Sequence, residues 1–232
     1  MSRLVCSVFD VDDTLYLERD YIRSGFDCVG EWVKKWLDIP EFSMRCWTRF
    51  LNGERRGIFD NTLTDAGCTP TPELISGLVA IYRTHRPAIT LAQDSKEALV
   101  VAASCGPIAV ISDGPATSQT RKIEALGLAE FARSIIVTEM LGSGFSKPHP
   151  RAFETVARTC AADTYVYIGD NPLKDFSAPE ALGWLSVRVR RSGGLHEFVE
   201  NVCAQPDLEI PDCSELCRFI PYLRDAGPVE SP

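Results

Sequence analysis

The sequence predicts an α/β fold: a parallel sheet core with helices on both faces, carrying a smaller all-helical insertion after the first strand. Three observations predict it. Short runs rich in Val and Ile, without polar alternation, end in polar or glycine-containing turns, which is how strands buried on both faces read. Helical stretches separate these runs. One segment, from about residue 20 to about residue 86, has helical periodicity and no clear strand. The 232 residues suffice for one large domain, or for a core with a smaller insertion. The boundaries place the core at 1–19 and 89–232 and the insertion at 20–88.

The first strand is Leu4–Phe9, ending at Asp10. The insertion opens with a helix over Asp20–Leu37, where Ile22, Phe26, Val29, Val33, Trp36 and Leu37 recur at helical spacing. Glu41–Leu51 and Ile58–Ala66 read as short helices. Pro72–His85 follows Thr71 and has Pro at its first position. Trp32, Trp36 and Trp47 fall in this segment and are expected in its core. The parallel core resumes with a helix over Ser95–Ser104, where Asp94 and Glu97 form a capping-box signature. The second strand, Pro107–Ile111, ends at Ser112-Asp113-Gly114, and the helix Pro115–Leu126 stops at Gly127. The third strand is Ser134–Val137, and the helix Arg151–Ala161 follows Pro150. The fourth strand, Thr164–Ile168, ends at Gly169-Asp170, and the helix Pro172–Leu182 stops at Gly183. The fifth strand is Leu185–Val189. Leu208–Ile210 and Cys213–Arg224 read as a last strand and helix, and the tail 225–232 is expected to fray.

Composition narrows the function classes. The chain is 45% hydrophobic and 24% charged, with a net charge of -8. That balance lacks the basic footprint of a nucleic-acid binder and the polybasic patch of an anionic-membrane binder. The nine cysteines are odd in number, scattered and without C-x-x-C spacing, so they read as buried thiols of a reducing cytosol. Cys213 and Cys217, four apart, would share a helix face as packed core cysteines. Leu4–Phe9 is too short for a signal peptide, and no apolar run reaches transmembrane length. A cytoplasmic protein is expected.

In an open parallel sheet, ligands bind outside the carboxyl ends of the strands. Asp10, Ser112 and Asp170 sit there, with Lys147 in the loop after the third strand. Bringing Asp10 and Asp170 together is costly unless a cation sits between them, and oxygen ligands suit Mg²⁺. Lys147 and Ser112 can then bind phosphoryl oxygens, and Asp10 can attack phosphorus. Asp12 can protonate a leaving alkoxide and later take a proton from the hydrolytic water.

These residues resemble the motifs of the haloacid dehalogenase superfamily, in its phosphatase branch. An apolar strand followed by D-x-D-x-T matches Phe9-Asp10-Val11-Asp12-Asp13-Thr14-Leu15. A strand ending in Ser or Thr matches Val110-Ile111-Ser112, and a lysine followed by proline matches Ser146-Lys147-Pro148. G-D-x-x-x-x-D matches Gly169-Asp170-Asn171-Pro172-Leu173-Lys174-Asp175. All four appear in order over essentially the whole chain. The resemblance implies a Rossmann-like core with a helical cap of the type inserted after the first motif, closing over the site and choosing the substrate. It implies Asp10 as nucleophile and metal ligand, Asp12 as general acid/base with its backbone carbonyl on the metal, and Asp170 as the other ligand. Asp175 would support the site from behind the ligands or through a water. The implied partner is a small phosphorylated metabolite; sugar phosphates, nucleoside monophosphates and biosynthetic intermediates all fit, and no oligomeric state is assigned.

Asp12 separates the branches, disfavouring dehalogenases and phosphonatases. A sugar phosphomutase of the beta-phosphoglucomutase type shares all four motifs, and a non-catalytic binding module of the same fold is the second alternative. Among the remaining residues, Asp13 reads as a solvated turn residue and Thr14 as a turn holder. Asp113 reads as a turn stabiliser that, with Gly114, can offer backbone amides to phosphate. Asp175 reads as helix-borne, supporting the site or pairing with Lys174 or another base. None of His85, His149 and His196 has a metal-ligand partner at suitable spacing; His149 is read as loop structure beside Lys147. In the insertion, Arg55 or Arg56 either reaches a second anionic group on the substrate or lies in a solvated loop.

Overall fold

The structure is a computed structural model and describes residues 3–201 and 203–225. The tail expected to fray lies, beyond Asp225, outside the described residues. The chain divides into two compact units, Met1–Glu18 with Thr90–Pro232, and Arg19–Ile89.

In chain order, β1 (Val5–Phe9) is followed by four helices: α1 (Glu18–Leu37), α2 (Phe42–Leu51), α3 (Ile58–Asp65) and α4 (Pro72–Thr84). Then come α5 (Gln93–Cys105), β2 (Ile108–Ser112), α6 (Ala116–Ala125), β3 (Ser134–Val137), α7 (Arg151–Thr159) and β4 (Thr164–Gly169). The chain continues with α8 (Ser177–Ala181), β5 (Leu185–Val189), β6 (Leu208–Ile210) and α9 (Leu216–Asp225). The strands form one parallel sheet in the order β3-β2-β1-β4-β5-β6, the Rossmann-like α/β arrangement the sequence predicts.

Burial explains the strands. Every residue of β1 and β2 is buried, so both faces must be apolar. On one face Phe153 and Val156 of α7 and Ala178 of α8 pack on Cys6, Val8, Ala109 and Tyr167. On the other, α5 and α9 lie against β1. Phe9 pairs with Val110 of β2 and Ile168 of β4, so Asp10, Ser112 and Asp170 all leave the sheet at one edge. The strand order reverses about β1, which opens a crevice there.

Three local expectations give way to longer-range contacts. Asp94 does not cap α5, which starts at Gln93 after Ala92. Its carboxylate instead holds the Arg191 guanidinium, at 2.7 Å, and the Cys213 N–H, at 2.8 Å. The helix expected from Pro172 starts only at Ser177, because Asn171 binds the following turn: its Oδ1 accepts from Leu173 N–H and its carbonyl from Asp175 N–H. Cys213 lies in a short 3₁₀ turn before α9, so it does not share a helix with Cys217; it is buried and Cys217 is partly exposed.

The second unit is built on Phe26, Val29, Val33, Phe42, Leu63 and Leu78, all buried. Phe26 meets Phe59 edge to face at 5.9 Å. Thr71 caps α4 by accepting from Leu74 N–H, with Pro72 at its first position. The tryptophans do not form this core: Trp36 is 62% exposed at the end of α1, and Trp32 and Trp47 are half-buried. No helix among the described residues is long and apolar enough to cross a membrane.

Candidate active site

Asp10 follows β1 directly, and its N–H donates to the Ile168 carbonyl of β4 at 2.8 Å. Its Oδ1 lies 2.9 Å from Lys147 Nζ. Lys147 is fully enclosed and also lies 2.8 Å from Asp175 Oδ1 and 2.9 Å from the Tyr167 hydroxyl. Oxygens of Asp10, Asp170 and Asp175 lie within 4.8 Å of one another. Gly169 permits this convergence: a Cβ there would stand 2.6 Å from Asp175 Oδ2.

One ammonium among three buried carboxylates leaves negative charge uncompensated. Burial pushes the Asp10 carboxyl up to about 6; Lys147 pulls it back and Asp175 adds to the rise. Burial, then Asp175 and Asp10, push Asp170 well above the usual carboxylate range. Lys147 is also raised, well above the ordinary lysine value: burial works to lower it, and Asp10 and Asp175 outweigh burial and keep it charged. A set of oxygen donors with excess negative charge suits a hard divalent cation, so Asp10, Asp170 and Asp175 can hold a metal.

Asp12 faces another way. Lys122 Nζ touches both of its oxygens at 2.7 Å, the Tyr16 hydroxyl donates to Oδ1, and Gln119 Nε2 donates to Oδ2 at 3.1 Å. Burial raises the Asp12 carboxyl, but Lys122, Tyr16 and Gln119 together hold it below the ordinary value. The Ser112 hydroxyl donates to Gln119 Oε1 at 2.8 Å, so Gln119 bridges Ser112 and Asp12. Sequence reasoning missed Tyr16, Gln119 and Lys122. The available signal was spacing: Gln119 and Lys122 share a face of the helix after β2, and Tyr16 lies four residues after Asp12.

Several expectations are corrected. Asp13 is not solvated: it is 2% exposed, and its carboxylate accepts the N–H groups of Glu18 and Leu195 at 2.8 and 2.7 Å. Asp175 is not helix-borne; of the bases open to it, it pairs with Lys147, and Lys174 pairs with Asp113 at 3.2 Å. Asp113 does more than hold its own turn, accepting from the Thr138 hydroxyl at 2.6 Å and from Lys147 N–H at 3.2 Å, which ties β2 to the lysine loop. A Cβ on Gly114 (φ 129) would stand 2.8 Å from Gln119 Nε2. The Thr14 carbonyl accepts from Arg191 at 2.9 Å, and its buried hydroxyl has no partner among the described residues. His196 does have a partner near the presumed ligands, lying 2.8 Å from Asp170. His149 is exposed and meets Phe145 edge-on, and His85 bonds Tyr82 and Ser24 in the helical unit.

Within the helical unit, Arg55 donates to the Phe50 carbonyl at 2.6 Å and lies over the Phe50 ring at 4.3 Å. It borders a cavity of about 260 Å³ with Phe26, Phe59, Tyr82 and Arg83. Arg56 is exposed.

A Rossmann-like sheet presenting carboxylates, a lysine and a serine at one edge defines a hydrolase-type site, and comparison with known proteins names the family. The model of the haloacid dehalogenase-like hydrolases matches residues 6–183. The chain belongs to the haloacid dehalogenase-like hydrolase family. It is 27% identical over 230 residues to a glyceraldehyde 3-phosphate phosphatase of Methanopyrus kandleri, covering 93% of this chain and 97% of that protein. A glyceraldehyde 3-phosphate phosphatase of Methanocaldococcus jannaschii is 26% identical over 226 residues, covering 94% and 97%. Among solved structures, the magnesium-bound HAD-hydrolase YfnB of Bacillus subtilis superposes with a TM-score of 0.65 at 18% identity, covering 94% of this chain and 99% of that one.

Proposed function

We propose that the chain is a Mg²⁺-dependent phosphatase that hydrolyses a small-molecule phosphate monoester through an aspartyl-phosphate on Asp10. The observation that carries the reading is the buried triangle of Asp10, Lys147 and Asp175, at 2.9 and 2.8 Å, set against Asp170. It aligns a carboxylate beside a fixed positive charge at the carboxyl edge of the sheet. The two relatives named as phosphatases support the same chemistry.

Asp10, Asp170 and the Asp12 backbone carbonyl would hold Mg²⁺, with Asp175 behind them. A cation bound there would supply positive charge against the transferring phosphoryl group. Asp10 attacks phosphorus and the P–O bond to the alkoxide breaks. Lys147 and Ser112 bind the phosphoryl oxygens. Asp12 in its protonated form gives its proton to the leaving alkoxide. In its ionised form it takes a proton from the water that cleaves the aspartyl-phosphate, which returns it to the start. The Lys122-paired carboxylate matches the second half of this cycle. We assign substrate choice to the helical unit and make glyceraldehyde 3-phosphate the first substrate to try, after the relatives.

The test is phosphate release from a panel of phosphorylated metabolites, with and without Mg²⁺, using Asp10→Asn as the blank. Mg²⁺-dependent release that vanishes in the variant is expected. Release that persists in Asp10→Asn would remove Asp10 as nucleophile. Turnover only in the presence of a sugar bisphosphate would replace the phosphatase with a mutase.

A further inference from the structure

Asp170 is held on one side by a residue outside the four motifs. His196 Nδ1 lies 2.8 Å from Asp170 Oδ2, and His196 Nε2 lies 3.1 Å from Asn171 Nδ2. The Asn171 amide has a fixed sense, because its Oδ1 accepts from Leu173 N–H at 3.0 Å. Its NH₂ group therefore faces the ring and donates to Nε2. That leaves the proton on Nδ1, pointing at the carboxylate.

The segment carrying this ring is anchored from three directions. Arg188, 1% exposed in β5, donates to the carbonyls of His196 and Val199 at 3.1 and 2.6 Å. Arg190 donates to the Glu197 carbonyl at 2.9 Å. Asp13, in the first motif, accepts from Leu195 N–H at 2.7 Å. A buried arginine spent on loop carbonyls is a large commitment for a surface connection, and its result is a histidine fixed against Asp170.

We propose that His196 is a positioning residue for Asp170: its Nδ1–H fixes the rotation of the carboxylate and keeps the remaining lone pairs available to Mg²⁺. This rests on the reading of Asp170 as a metal ligand. Asp13, Asp170 and His196 also lie close enough together to suggest a second metal site. The hydrogen bonds argue against that use. Both Asp13 oxygens are taken by backbone N–H groups, and the ring nitrogen facing Asp170 carries a proton.

The experiment is calorimetric titration of Mg²⁺ into the metal-free full chain, as wild type, His196→Ala, His196→Asn and Asp170→Ala, with the metal-free melting temperature of each. In His196→Asn the amide nitrogen takes the place of Nδ1. Mg²⁺ affinity should fall about tenfold or more in His196→Ala, with little change in melting temperature. It should return to within about threefold of wild type in His196→Asn. Under turnover, the Mg²⁺ concentration for half-maximal rate should rise in His196→Ala more than the saturated kcat falls. If Asp170→Ala weakens Mg²⁺ but His196→Ala does not, His196 has no positioning role and the metal assignment survives. Equal weakening in His196→Ala and His196→Asn would also overturn the donor role. If wild type does not bind Mg²⁺, or Asp170→Ala binds it normally, the metal reading fails and this inference falls with it.

Discussion

Lys122 Nζ lies 2.7 Å from each carboxylate oxygen of Asp12, and the lysine side chain is 3% exposed. The carboxyl is thereby held ionised against the burial that would protonate it. Lys122→Met removes the cation and leaves the burial, so the Asp12 carboxyl must rise. The acid limb of the kcat–pH profile should move to higher pH, with activity recovered above it. Asp12 has a depressed folded value, so its contribution to stability is present above the unfolded value near 4 and is lost as pH falls through the folded one. The variant should therefore lose about 2–3 kcal/mol at pH 7, less than a fully buried pair because Tyr16 and Gln119 still donate, and less again in acid. An unmoved acid limb would take Asp12 out of the proton transfers.

The Asp10 carboxyl, pushed up to about 6 by burial, gives a second pH dependence. Its stabilising contribution is complete below the unfolded value and is lost as pH rises through about 6. Above that pH the metal-free site carries uncompensated charge. Below it, protons occupy the oxygens that a cation needs. The rise in melting temperature on adding Mg²⁺ should be full at pH 8 and shrink as pH falls through about 6. Scanning fluorimetry at several pH values reads this directly, and a pH-independent shift would place the cation elsewhere.

Gly169→Ala tests the convergence of the carboxylates. The added Cβ would meet Asp175 Oδ2 at 2.6 Å and the Tyr167 ring at 3.0 Å, and neither can retreat, since both are tied to Lys147. Overpacking of this kind costs about 1–3 kcal/mol and should also lower kcat. Gly77→Ala, inside α4 with nothing within 4 Å of its Cβ, is the control and should be neutral or stabilising by up to about 1 kcal/mol. Denaturant midpoints separate the two.

The parts legible in the sequence are those fixed by local chemistry. Burial on both faces writes itself as unbroken apolar runs, so the central strands β1, β2 and β4 could be read, with edges within a residue or so. The carboxyl-edge rule then brought Asp10, Ser112 and Asp170 together from strand ends alone. What could not be read was set by partners far away in the chain. Asp94 looks like a helix cap until Arg191, 97 residues on, claims it. Asp13 looks solvated until Leu195, 182 residues on, donates to it. His196 has no ligand-like spacing because its partner stands across a helix, a strand and a loop. Trp36 has core spacing but lies exposed in the last turn of α1, which periodicity cannot register.

Lys147 is the sharpest test of the site's electrostatics. It is the ammonium standing between Asp10 and Asp175, with Tyr167 as its third contact. Lys147→Met keeps the volume of the stem and removes the charge. Three buried carboxylates then face one another, and two of them already resist ionisation because of burial. At pH 7.5 the metal-free variant should lose about 3–5 kcal/mol, the range for breaking a buried pair from one side. At pH 5 the loss should be smaller, because Asp10, with its value near 6, can protonate and spare the site a charge. Mg²⁺ should also restore part of the loss at pH 7.5, since it supplies the missing positive charge. Activity should nevertheless stay at least about a hundredfold down with Mg²⁺ saturating if Lys147 is, as proposed, a donor to the phosphoryl oxygens, because a restored fold does not replace that donor. Chemical denaturation at both pH values, with and without Mg²⁺, separates the two roles. A loss that is the same at pH 5 and pH 7.5 would show that Lys147 acts through packing alone.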